Sequence, residues 1–313
     1  MSVAFTFPGQ GSQAVGMGKL LAEQSAVARA VFDEVDEALG EKLSAVMFDG
    51  PEDVLIMTAN AQPALMAVSF ALIRVMESKG FNLKSNAAYV AGHSLGEYSA
   101  LAAAGTFSLS DTAKLLRIRG NAMQKAVPVG EGGMAAIIGL EDADVAAACV
   151  EAAQGQVCQI ANDNGGGQLV ISGAKAAVER AAAIATAKGA KRAIMLAVSA
   201  PFHSDLMGPA ADAMRVALAS VVKHAPSVPV LSNVTVTPTS DPQDITDRLV
   251  AQVTGQVRWR ESVEWFAANG VTSLIEIGSG KVLTGLARRI SKDVSGSAIN
   301  SLEDVDAYLA LLA

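Results

Sequence analysis

The chain has little of what specialised sites are commonly built from. Its 313 residues include only three histidines, two cysteines and two tryptophans, and aromatics make up 4%. Cys149 and Cys158 provide neither a metal-ligand spacing nor a disulfide framework, so they read as small apolar fillers. A net charge of -7 leaves no general basic surface for nucleic acid, because neutralising phosphates takes clustered Lys and Arg. No apolar run approaches the roughly 20 residues a bilayer-spanning helix needs. The N-terminus lacks the basic start and long apolar stretch of a signal peptide. No membrane contact and a cytoplasmic location are therefore expected. Internal repeats and low-complexity tails are also missing.

What is present is an alternation of short β-rich runs with longer helical patterns. VAFTF is followed by helices to Lys79, then by AAYVAG and helices to Ala126, the order of a parallel sheet covered by helices. After PVGEGG the texture changes. MAAIIGL, a helix over Asp142 to Ala153, QVCQIAN, GQLVISG, a helix over Ala174 to Lys188, and KRAIMLAVS give the β-α-β-β-α-β order of a ferredoxin-like module. From APFH onward the larger pattern resumes. The expected architecture is α/β: a large parallel-sheet subdomain of residues 1–128 and 199–313, with a small subdomain of residues 129–198 inserted. The cleft between them is the default site.

The first glycine cluster, PGQGSQAVG, follows a short strand and imitates a dinucleotide fingerprint. A nicotinamide site also needs a second strand ending in an acid about 20 residues on. Asp33 and Glu34 lie there, but Val31, Glu34, Val35 and Ala38 keep helical register. GSGKV near position 280 lacks the spacing of a nucleotide loop and reads as a strand-to-helix turn.

The strongest chemical signal is AAYVAGHSLGEYSALAAAG. An apolar strand runs into G-H-S-L-G and a helix follows until Gly105, the strand-turn-helix context of a nucleophile elbow. Ser94 projects its hydroxyl at the helix N-terminus, and the Leu95 N–H points at the same space as an oxyanion donor. Of the three histidines, His93 adjoins Ser94 and should point away from it, and His224 is expected near a helix end in a structural role. His203, ahead of a helix expected to start at Ser204, remains as the base, held neutral by that helix N-terminus. In SDTAKLLRIRGNAMQKAV, read as a capped helix, Arg119 shares a face with Leu115, Leu116, Ala122 and Met123. An inward arginine needs an anion, which is either an internal Asp or Glu or a free carboxylate on the substrate.

These stretches, with FPGQGSQ, QPAL, RIRGNAMQ, GAKRA, SNV and GSGKVLTGL, run in an order that resembles the malonyl-CoA:acyl-carrier-protein transacylases of type II fatty-acid synthesis. The resemblance implies a hydrolase-like large subdomain, a ferredoxin-like small one, and malonyl transfer from coenzyme A to acyl carrier protein with no cofactor. It makes Ser94 the nucleophile, His203 the base and Arg119 the clamp on the malonyl carboxylate. Gln10 becomes the second oxyanion donor beside Leu95, and the Gln252 main-chain oxygen the acceptor that orients His203. Phe202 becomes the bulky residue that disfavours a branched methylmalonyl group, and Met123, one turn beyond Arg119, a residue lining the same pocket. Carrier-protein docking would use a local basic patch, from Lys188, Lys191 and Arg192 or from Arg288, Arg289 and Lys292. Two other readings stand beside it. One is a serine hydrolase or thioesterase completed by Asp163, and the other a non-catalytic carrier-binding subunit.

Overall fold

The computed structural model describes residues 2–312 as a mixed α/β protein built on two sheets. The larger sheet runs in the order β11 (Ser295–Ile299), β10 (Val271–Ile277), β1 (Ser2–Phe7), β2 (Tyr89–Gly92), β7 (Val230–Leu231), β8 (Pro238–Thr239). All its pairings are parallel except β7 with β8. Buried β1, β2 and β10 carry near-continuous apolar runs, as strands covered on both faces do. At the edge, β11 is SGSAI and buries only its last residue, so it has no apolar run by which the sequence could announce it.

The second sheet contains β3 (Gly132–Ile138), β4 (Cys158–Asp163), β5 (Gln168–Ala174) and β6 (Arg192–Met195), with helices over Asp142–Ala153 and Lys175–Ala187. Its spatial order is β6-β3-β5-β4, with β3 antiparallel to both its neighbours and β5 antiparallel to β4. A fifth strand, β9 (Val257–Arg258), joins β4 in parallel from well beyond residue 199. It closely follows the helix Pro242–Thr254, so the C-terminal end of that helix is anchored to the second sheet.

The helix Thr58–Ser78 corrects the expectation that no segment reaches membrane-spanning length. It has 21 residues, is long and apolar enough to cross a bilayer, and has 89% of its apolar window buried inside the protein. Arg74 and scattered polar side chains hid its length in the sequence. The helix Leu109–Lys125 packs against it so closely that a Cβ on Gly120 would lie 2.6 Å from the Ala59 Cα. Its N-cap is Ser108, which accepts the Asp111 N–H and starts the helix before the expected Ser110. Leu115, Leu116, Arg119 and Met123 are buried on one face, and Arg117 turns to Glu41 and Asn60.

Candidate active site

At the end of β2 the chain turns sharply into the helix Gly96–Ala103. The crossing is so tight that a Cβ on Gly92 would lie 1.9 Å from the Gly96 carbonyl carbon, and one on Gly96 would lie 2.2 Å from the Phe7 oxygen. Only glycine fits at either place. Between them Ser94 is held at φ +53°, a left-handed conformation costly for serine. Asn233 holds it there, accepting the Ser94 N–H at 2.7 Å and donating to the Gly92 carbonyl at 2.7 Å.

Ser94 Oγ lies 2.7 Å from His203 Nε2. His203 Nδ1 faces two carbonyl oxygens, Gln252 at 2.9 Å and Gly255 at 3.1 Å. Two acceptors there require Nδ1 to carry the proton, so Nε2 is free to accept the serine proton. Burial, and after it the Arg119 charge, lower the His203 pKa to about 3. The neutral form thus has a different cause from the one expected. A single 3-10 turn, Asp205–Met207, follows His203, and the helix begins only at Gly208. The same helix ends at Ala219, so His224 lies beyond it, with its N–H on the Thr106 carbonyl.

Arg119 is 1% exposed and forms no ion pair among the described residues. Nη1 donates to Gln62 Oε1 at 2.8 Å, and Nη2 to Gln252 Oε1 at 2.9 Å and Ser94 Oγ at 3.1 Å. Its Nε is buried with no partner among the described residues. The internal acid that the sequence left open is Glu97, one step removed. Its carboxylate accepts the Gln252 side-chain amide at 2.8 Å and the Asn233 N–H at 3.1 Å.

Ser94, His203, Arg119, Met123, Phe202 and Gln10 all line one cavity of about 360 Å³. The Gln10 and Leu95 N–H groups make no hydrogen bond within the chain among the described residues. Gly9 packs against the elbow, where a Cβ would meet the His93 oxygen at 2.7 Å, so the Gln10 loop is brought directly onto the Ser94 turn. Gln10 Nε2 donates to Thr58 Oγ1 at 3.3 Å, which adjoins Ser199. Residues 162–168 form the hairpin between β4 and β5 and also edge the cavity through Asn162 and Asn164. His93 lines the same cavity, with its Nε2 3.0 Å from Asn164 Oδ1, and among the described residues it makes no hydrogen bond to Ser94 Oγ.

Asp163 does not complete a triad. Its carboxylate accepts Arg260 Nε at 2.7 Å and the Gly165 N–H at 3.1 Å, while carbonyls occupy His203 Nδ1. Sequence reasoning gave no role to Gln62, Glu97, Asn164 or Asn233. Their signal was positional: Gln62 and Asn233 stand in QPAL and SNV, and Glu97 in the elbow motif, but hydrogen-bond partners 57 to 155 residues away cannot be read from spacing.

The acyl transferase domain family matches residues 4–302. A malonyl CoA-acyl carrier protein transacylase of Salmonella typhimurium is 49% identical over 306 residues, covering 98% of each chain. The chain belongs to this transacylase family. The crystal structure of an acyl-carrier-protein-S-malonyltransferase from Bartonella henselae is similar with a TM-score of 0.98 and 64% identity, over 100% of this chain and 99% of that one. A second family member, a malonyl-transacylase solved in complex with a type II PKS acyl-carrier protein, has a TM-score of 0.96 and 44% identity, over 99% of this chain and 100% of that one.

Proposed function

We propose that the protein transfers malonyl from malonyl-CoA to the phosphopantetheine thiol of acyl carrier protein through a malonyl-serine intermediate, in fatty-acid synthesis. The observation that carries this reading is a buried arginine with no acid partner among the described residues, whose guanidinium reaches the nucleophile's own oxygen. An arginine so placed can grip the free carboxylate of a three-carbon diacyl group whose thioester carbon lies over Ser94.

Ser94 Oγ attacks the thioester carbon and its proton passes to His203 Nε2. The oxyanion lies between the Gln10 and Leu95 N–H groups. The carbon–sulfur bond breaks, and the imidazolium returns its proton to the departing coenzyme A thiolate. The carrier thiol then gives its proton to His203 and attacks the malonyl ester, and Ser94 leaves with that proton. The Gln252 and Gly255 carbonyls stabilise the imidazolium at each half-reaction. The coenzyme A thioester is a substrate, and each step is complete with these side chains and no cofactor. Phe202 and Met123 bound the acyl end of the cavity.

The finer architecture belongs to the same reading. Residues 1–128 and 199–313 form a hydrolase-like part and 129–198 a ferredoxin-like insert, with β9 tying the first to the second. The two basic clusters are exposed and flank one hairpin. Lys191 packs over Gly139, whose N–H bonds the Gly167 carbonyl, and Arg289 donates to Gln168 at 3.1 Å. An acidic carrier protein docked there would face the cavity mouth. We place the reaction in the cytosol, where a coenzyme A donor and a carrier-protein acceptor meet.

Intact-mass measurement after mixing the protein with malonyl-CoA, acetyl-CoA or methylmalonyl-CoA tests the reading. A malonyl adduct should form, disappear in Ser94→Ala, weaken in Arg119→Ala and discharge onto carrier protein. Free malonate accumulating without an adduct would establish a hydrolase instead.

A further inference from the structure

The reaction as derived uses the Gln252 main chain, yet its side chain is fully buried and makes four hydrogen-bond contacts at the centre of the site. A glutamine amide has a donor end and an acceptor end, and it serves Arg119 only with the oxygen turned toward it. On the nitrogen side stand the Glu97 carboxylate at 2.8 Å and the Ser94 carbonyl at 3.0 Å. Asn233 Oδ1 lies farther off, at 3.4 Å, and already accepts the Ser94 N–H. Glu97 is the one charged group among these three acceptors, and it is itself fixed by the Asn233 N–H.

We infer that Glu97 is a positioning residue for acyl selectivity: its carboxylate sets the polarity of the Gln252 amide, which aims the Arg119 guanidinium at the substrate's free carboxylate. This rests on the malonyl-transfer reading. Glu97 is not among the cavity-lining residues and reaches the Arg119 fork through Gln252, while its second bond, from the Asn233 N–H, leads to the elbow. Burial raises its pKa to about 7, while the Asn233 and Gln252 donors and the Arg119 charge favour the ionised, acceptor-only form. Arg119 is held by two amide oxygens, those of Gln62 and Gln252, and by Ser94. With the Gln252 amide turned over, its NH₂ would face the guanidinium, and the fork would lose one of its two amide oxygens.

The readout is the ratio of loading efficiencies, kcat/KM for malonyl-CoA over that for acetyl-CoA, followed as acyl-Ser94 formation by intact mass at a pH above 7. Acetyl has no free carboxylate, so its loading lacks the guanidinium's grip on the acyl group, while any effect through the Arg119 contact with Ser94 falls on both donors and cancels in the ratio. Glu97→Met is expected to lower the ratio about tenfold, the worth of one hydrogen bond to a charged group. Glu97→Gln keeps an acceptor oxygen toward Gln252 and should restore most of it. If Glu97→Met slows both donors equally and leaves the ratio unchanged, Glu97 only braces the elbow through Asn233 and the inference is overturned. Should Glu97→Met fail to fold, Gln252→Met decides the matter. It retains the carbonyl on His203 and the Asn233–Glu97 bond, and an unchanged ratio there overturns the inference equally. Wild type runs in parallel: if it forms no malonyl-serine, the malonyl-transfer reading fails first, independently of Glu97.

Discussion

Two strand-turn-helix junctions in the larger sheet look alike and do opposite things. After β2 the chain passes through GHSLG into the helix Gly96–Ala103, and after β10 it passes through GSGK into the helix Val282–Ile290. Both helices present backbone N–H groups at their starts, a natural place for negative charge. At the second junction the chain supplies the anion itself: Glu276 is buried, and its carboxylate accepts the Leu283 N–H at 3.1 Å, the Thr284 N–H at 2.7 Å and the Thr284 hydroxyl at 2.8 Å. At the first, Asn233 takes only the Ser94 N–H, and the Leu95 N–H is left for a ligand. A helix start becomes a site when the fold declines to fill it. The glycines at both turns say only that the backbone is tight.

The contrast can be broken from the elbow side first, where the largest effect is expected. Asn233→Ala removes the acceptor for Ser94 N–H and the donor to Gly92, and lets the Ser94 turn relax. Malonyl loading should fall about 100-fold in kcat/KM, as misplacement of reacting groups costs. Loss confined to thermal stability would show that the glycines alone hold the turn.

On the other junction the effect should appear in stability instead. Glu276→Gln replaces a buried, hydrogen-bonded carboxylate at a helix start and is expected to cost about 2 kcal/mol in urea unfolding. The loading rate per folded molecule should stay at wild type. A matching fall in rate would mean that the second junction communicates with the first.

A third, smaller effect separates the junctions by pH. His203 titrates near 3 when folded and near 6.5 as an unperturbed side chain. Between these values the unfolded chain binds a proton that the folded one refuses, so this group's contribution to stability falls as the pH is lowered through that window. Urea midpoints measured between pH 7 and 4 should decline less steeply in His203→Ala than in wild type. Equal slopes would place the folded histidine near its ordinary value.

The smallest expected change is at Gly285. A Cβ there meets nothing within 4 Å, whereas one on Gly96 meets the Phe7 carbonyl. Gly285→Ala should stabilise the protein by about 0.5–1 kcal/mol, since glycine inside a helix carries that entropic cost. Destabilisation would show that this helix needs its glycine after all.

Local pattern carried far in this chain. The elbow, the two Ala-rich helices over the second sheet and the inward face of Leu109–Lys125 follow from the period of apolar residues and from turn residues beside them. With only three histidines, elimination reached His203. Elements with weak local signals escaped: edge strand β11, and β9, which is two residues long and exists by pairing with β4. The structure does bring His203 against Ser94 Oγ, but its neutrality comes first from burial and not from a helix start, because burial is a property of the whole fold.

By itself the sequence determined where the chain turns, which faces are apolar and which side chains have the chemistry to attack, accept a proton and bind a carboxylate. Those properties depend on residues within a few positions of one another. Tertiary structure alone decided that the Gln252 side chain serves Arg119, that Asp163 belongs to Arg260, and that Glu97 and Asn233 meet beneath Ser94. Each of these is a hydrogen bond between residues 97 to 136 positions apart. Its direction is set by which buried donors and acceptors the packed core leaves facing one another.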